Sequence, residues 1–214
     1  MKNLQVPFIS NNEFIDGIAS VSSIFNEVER QTIDNLLWSN NGYKPLVSFA
    51  IAFSEDAILL KYFVSEKYFK SDYHQINDPV YKDSCVEFFI AFGDDGNYYN
   101  LEFNAIGSVL IGYGSGKNDR EMLDASVISK IKSQHQIILS TNDTNDNNWE
   151  LTLNIPFKIF IHNNITSLIG VDCRANFYKC GDDLPVPHFL SWNAVNYLQP
   201  NFHLPQFFGV ISFA

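Results

Sequence analysis

The sequence predicts an all-β fold: an antiparallel β-sandwich of jelly-roll type with one or two short helices. Three observations predict it. Apolar residues recur at every second position in several segments, turn-forming residues separate those segments at short intervals, and only one stretch has the start of a helix. The 214 residues suit one domain of this class, and a chain this long buries about 70% of its extended surface. It needs neither metal nor disulfide to hold a core. Nothing repeats, and no Pro-, Gly- or Ser-rich linker divides the chain. Residues 1–214 therefore read as a single domain, with 1–40 as an N-terminal extension packed on the sandwich.

Residues 1–40 are mixed, with a turn expected at Asp16-Gly17 and weak helical potential from Phe25 to Trp38. After Asn40-Asn41-Gly42 and Pro45 the pattern becomes β. Val47, Phe49, Ile51 and Phe53 alternate with small residues, Ser54-Glu55-Asp56 forms a hairpin turn, and Ile58 to Val64 returns as the next strand. Residues 65–82 lack a period and read as a long loop. Ser84 to Phe92 and Tyr98 to Ala105 pair around Gly93-Asp94-Asp95-Gly96-Asn97, and Ser108 to Tyr113 follows Gly107. Asp124 to Lys130 is the one helix candidate. Ile137–Ser140 and Trp149–Ile155 pair around an Asn/Asp-rich loop, Leu168–Tyr178 supplies another strand, and Phe208–Phe213 closes the chain.

Composition narrows the partners. Fourteen basic against 24 acidic side chains give a formal charge of -10 without a local basic cluster, which disfavours nucleic acid and anionic membranes. No apolar run approaches the ~20 residues of a membrane-spanning helix. The segment Met1–Pro7 lacks the apolar stretch of a signal peptide, so a cytoplasmic location is the default expectation. Aromatic residues make up 15% and charged ones only 18%, leaving rings for ligand platforms as well as a core.

The second faces of three strands point to function. If Val86, Phe88 and Ile90 face the core, Cys85, Glu87 and Phe89 face away. By the same alternation Asn100, Glu102 and Asn104 oppose Tyr99, Leu101 and Phe103, and Arg174, Asn176 and Tyr178 oppose Cys173, Ala175 and Phe177. An antiparallel sheet often wets one face, and solvent exposure alone accounts for much of this pattern. Asn, however, is depleted in strands and occurs here three times. Amides and carboxylates beside rings suit a sugar, whose C–H faces stack while its hydroxyls need partners. Tyr81 and Trp192 lie at strand or loop positions where such rings could stand.

The segments Val80-Tyr81-Lys82-Asp83-Ser84-Cys85-Val86-Glu87-Phe88-Phe89, Tyr98–Gly107, Arg174–Asp182 and His188–Asn193 together resemble the family 9-like carbohydrate-binding domains, closest to a stand-alone bacterial branch. The resemblance runs from about residue 40 onward. It implies a β-sandwich that holds a terminal sugar between two aromatic rings, here Tyr81, six residues before Glu87, and Trp192. Asn100 stands where relatives carry Arg, and Arg174 or Arg120 is available to supply a guanidinium from another direction. The implied ligand-binding set is Tyr81, Glu87, Asn100, Glu102, Asn104, Arg174, Asn176 and Trp192. The implied partner is a carbohydrate.

Two other readings stand beside non-catalytic sugar binding. One is a structural or protein-interaction domain that has lost sugar affinity. The other takes Glu87 and Glu102 as the paired carboxylates of a glycoside hydrolase. No catalytic residue is assigned, because an open sheet face supplies no deep cleft. Five histidines show no metal-binding spacing, and Cys85, Cys173 and Cys180 read as buried free thiols. No cofactor is expected apart from a structural calcium ion, for which Asp94–Asn97 and Asp143–Asn148 cluster oxygen ligands.

Overall fold

The computed structural model describes residues 1–14, 17–142 and 146–214. The first part of the chain forms β1 (Asn3–Val6), α1 (Ile18–Ile24), β2 (Gln31–Thr32), β3 (Asn35–Leu37), β4 (Leu46–Phe53) and β5 (Ala57–Glu66). The middle forms β6 (Cys85–Ala91), β7 (Tyr98–Asn104), β8 (Val109–Gly114), β9 (Glu121–Met122) and α2 (Ala125–Ile128). The last part forms β10 (Lys132–Ile138), β11 (Asn147–Pro156), β12 (Asp172–Cys180), β13 (Phe189–Ser191) and β14 (Gly209–Phe213).

These strands make two sheets. The larger runs β1-β14-β12-β6-β7-β8-β9, with β13 beside the end of β12 and β3 beyond it; the smaller runs β10-β11-β5-β4-β2. All pairings are antiparallel except β1 with β14. This is the predicted sandwich with two short helices. One core fills the space between the sheets, with Val86, Phe88, Ile90, Leu101, Phe103 and Phe177 meeting Phe49, Ile51, Leu60, Tyr62 and Leu151. Phe49 and Phe88 stack on Phe177 from two sides, centroids 3.8 and 4.9 Å away. The alternation in β6, β7 and β12 therefore assigns the core face correctly. Among the described residues no helix is long and apolar enough to cross a membrane.

The hairpin at Ser54–Asp56 and the helix after Asp124, whose side chain caps Ser126 N at 2.7 Å, form as expected. The N-terminal region differs. Phe25–Trp38, expected as weakly helical, holds β2 and β3, and the helix comes earlier at Ile18–Ile24. Sheet pairing overrides propensity there: β3 pairs with β13, and Ile33 is sealed into the core. Helix α1 instead lays Val21, with Phe25 just beyond its end, over Ala50, Ala52 and Leu59 on the outside of the smaller sheet. Residues 1–40 thus contribute strands to both sheets as well as packing on them. The Asp16-Gly17 turn lies partly outside the described residues. Strand β12 starts at Asp172, later than Leu168, because Gly170 turns the chain with φ +74°. Strand β10 starts five residues early at Lys132; as a sheet edge with exposed side chains it has no apolar alternation to read.

Candidate functional site

The second face of the larger sheet carries Cys85, Glu87, Asn100, Glu102, Asn104, Arg174 and Asn176, as alternation requires. It is not the open floor expected from the sequence. Two segments cover most of it, and the amides hold them there. Asn104 Nδ2 donates to Tyr73 O at 2.8 Å and to Asp83 Oδ2 at 3.0 Å, while its Oδ1 accepts from Ser108 N. Asn176 Nδ2 donates to Asn193 O at 3.0 Å, and its Oδ1 accepts from Asn193 N at 2.9 Å. Arg174 donates to Pro205 O at 2.7 Å, and the Tyr178 hydroxyl to Phe202 O. Residues 193–208 thus form a strap across the sheet, with Val195, Phe202 and Phe208 buried against Phe89 and Tyr178. Buried polar groups need partners, and here backbone of the covering segments supplies them. Asn104, Arg174 and Asn176 are anchors.

Trp192 is elsewhere. Its indole is fully buried in the core between the sheets, edge-on to Phe49 and Phe177. Register gives the reason. Phe189 and Ser191 pair with Cys180 and Tyr178, which face away from the core, whereas Trp192 N bonds Phe177 O. Parity therefore turns Phe189 outward and Trp192 inward.

One part of the face stays open. A cavity of about 140 Å³ is rimmed by the rings of Tyr81, Trp38, Phe189 and Phe202, and Glu87, Glu102 and Cys180 lie in its lining. Arg120, Lys117, Asp182, Asn201 and His203 complete it. Of the eight sequence-selected residues, Tyr81, Glu87 and Glu102 line this pocket. Asn100 sits against it, donating to Glu102 Oε1 at 2.9 Å. The volume is below the ~300–1,000 Å³ of drug-sized sites and suits one small unit.

Glu87 and Glu102 are directly opposite each other in the β6–β7 register, and both are almost wholly buried. One guanidinium serves them: Arg120 Nη1 lies 3.3 Å from Glu102 Oε1. Of the two arginines open from the sequence, it is Arg120, not Arg174, that meets the acids. Gly112, opposite Asn100, makes room for it, since a β-carbon there would come within 2.9 Å of Arg120 Cδ. Burial lifts the Glu102 carboxyl to about 7, with Arg120 opposing. Burial, and then the neighbouring Glu102, push Glu87 well above the ordinary carboxylate range. Glu102 Oε2 has no hydrogen-bond partner in the protein. His203, bonded to Tyr98 and Arg120, is driven down to about 3 by burial first and is neutral. The site offers buried acceptors, one guanidinium and flat apolar walls.

Trp38, Phe189 and Phe202 were not selected from sequence. Trp38 lies where helix was expected, with φ +49° at the end of β3 and its Nε1 bonded to Tyr197 O. The pairing of β13 with β12 would have revealed Phe189. A larger hollow of about 440 Å³ on the smaller sheet, lined in part by Arg30, Leu46, Phe63 and Ile138, gathers no comparable group of buried ionisable side chains. Perturbed, convergent polar groups favour the smaller one as the functional site.

Of the two oxygen-rich stretches behind the calcium expectation, the first is described in full. Asp95 spends both oxygens on Asn97 within its own turn. Residues 143–145 lie outside the described residues, and Asn147 is engaged with Ser140, Glu66 and Lys67.

A profile of carbohydrate-binding family 9 matches residues 20–213. The chain belongs to this family. This family 9 domain is similar over its full length to a crystal structure from Bacteroides uniformis ATCC 8492, described as a candidate carbohydrate-binding protein. The two are 35% identical, with a TM-score of 0.88 and 99% of that chain covered. It also shares its fold with a family 9 module from Caldicellulosiruptor kristjanssonii. That module is solved with glucose (13% identity, TM-score 0.67, 100% of this chain and 96% of that one) and with cellotriose (13%, 0.64, 99% and 93%). No curated protein matches. The likeness is to non-catalytic binding modules, not to a glycoside hydrolase.

Proposed function

We propose that the pocket between Tyr81, Trp38, Phe189 and Phe202 binds one terminal unit of a mono- or oligosaccharide without chemical change. The observation that carries this is the pairing of Glu87 with Glu102 under an aromatic rim, with a buried carboxylate oxygen still lacking a donor. Sugar hydroxyls supply such donors, and ring C–H faces suit the rim. Arg120 presents a fork of donors to the ring or glycosidic oxygens. That family 9 modules accept glucose and cellotriose makes a neutral hexose end the first ligand to try.

The covered amides and internal Trp192 favour a second reading, a structural or protein-interaction domain without sugar affinity. Calorimetric titration with glucose, cellotriose and a glycan array, on wild type and Arg120→Ala, separates the two. Saturable binding lost in the variant is expected. Binding indifferent to Arg120, or absent for every sugar, would overturn the assignment.

A further inference from the structure

The sugar assignment gives no role to the two thiols beneath this pocket. Cys85 and Cys180 are directly opposite each other across β6 and β12, on the same face as Glu87. Cys180 Sγ lies 3.1 Å from Glu87 Oε1, and all three potential ligand atoms lie within 4.8 Å of one another. Among the described residues this is the one group of three His, Cys, Asp or Glu side chains so disposed. Cys173, on the other face of β12, is by contrast ordinary core filling.

We propose that Cys85, Glu87 and Cys180 bind a zinc ion at the bottom of the pocket, leaving the fourth coordination position toward the pocket. Zinc takes thiolate and carboxylate ligands at about 2.0–2.3 Å in a tetrahedron, which a trio this compact reaches by small rotations. Glu87 and Cys180 line the cavity, so an ion has a way in, and a water or ligand hydroxyl can complete its shell. The donor-less oxygen of Glu102 lies in the same pocket. Glu102 is almost wholly buried, and a metal-bound water would supply the missing donor.

The ligand set is one carboxyl and two thiols, with the Arg120 guanidinium held on Glu102 and not on Glu87. On binding, each thiol releases its proton to solvent and its sulfur lone pair forms the metal bond; no electrons are transferred. The zinc site shares Glu87 with the proposed sugar pocket, but its thiol ligands are read by the cobalt spectrum and not by sugar titration, so either assignment can fail alone.

The test is cobalt(II) added to reduced, chelator-stripped wild-type protein. The expected result is one ion per chain, a near-ultraviolet thiolate-to-cobalt charge-transfer band, tetrahedral visible bands, and displacement of all of them by zinc. Cys173→Ser should keep the spectrum; Cys85→Ser and Cys180→Ser should lose it. A saturated wild type without the charge-transfer band would overturn the proposal, as would a band that survives both serine variants. Should a serine variant not fold, proton release decides: zinc uptake by wild type must liberate two or three protons per ion, and uptake with none excludes thiolate ligation.

Discussion

Trp192 lies so close to Gly209 that a β-carbon built on the glycine would come within 2.5 Å of the indole Cζ3. The indole of Trp192 and the backbone of β14 are therefore packed without slack, on the side of the sheet away from the pocket.

Trp192→Ala should accordingly act on stability. Removing a large aromatic from a filled core costs about 3–5 kcal/mol, visible as a much lower denaturation midpoint. Sugar affinity of the remaining folded protein should be unchanged. A normal midpoint with lost binding would place the indole in the ligand site instead.

Tyr81→Ala should do the reverse. Tyr81 is a half-exposed rim residue of the pocket, so its loss should weaken sugar binding by about tenfold or more, or at least ~1.4 kcal/mol. The melting temperature should barely move. Calorimetry and thermal melts on one preparation check both halves.

Stability should fall as pH rises through neutrality. The folded chain holds the Glu102 proton up to about 7, whereas the unfolded chain loses it near 4.5, so between those values folding is progressively weakened. Glu87, shifted in the same direction, extends the fall upward. His188 and His203, both driven down to about 3 by burial, act oppositely, but only below their ordinary 6.5. Above pH 6.5 the histidines no longer oppose them, and the carboxylates alone set the direction of the change. Glu102→Gln should flatten the start of that decline in denaturant titrations at stepped pH.

A last expectation concerns an ion pair inside the sandwich. Lys179 Nζ lies 2.9 Å from Glu66 Oε2, both side chains fully buried, and Glu66 Oε1 accepts from Trp149 Nε1 at 2.7 Å. Lys179→Met leaves a buried carboxylate without its cation and should cost about 3–5 kcal/mol. Adding Glu66→Leu should cost less than the sum of the two single changes by ~1 kcal/mol or more. Strict additivity in the double-mutant cycle would show the pair to be uncoupled.

The strands of this fold were legible wherever one face had to be apolar. Val86, Phe88 and Ile90 announce a core by period alone, and their neighbours Cys85 and Glu87 follow on the opposite face. What lies on that opposite face was also legible; what covers it was not. Asn176 looks the same in sequence whether its amide meets a sugar or the backbone of Asn193, because the choice is made by chain about twenty residues later. Tyr81, Glu87 and Glu102 could be placed on the pocket-bearing face because they sit on or beside regular strands. Trp38 and Phe189 were missed because their orientation depends on β3–β13–β12 pairing, which no local period encodes. Trp192 was misplaced for the same reason, by one residue of parity.

The strap from 193 to 208 is fastened mainly through its main chain, with Arg174, Asn176 and Tyr178 all donating to backbone carbonyls along it. These polar docking points are indifferent to which amino acids the strap carries, whereas Val195, Phe202 and Phe208 are held by packing. Pocket-lining positions outside those anchors, such as Asn201, can then be exchanged while the docking points stay put. Ligand preference would drift by exchanging a handful of residues on one ribbon, the sheets beneath remaining a common chassis.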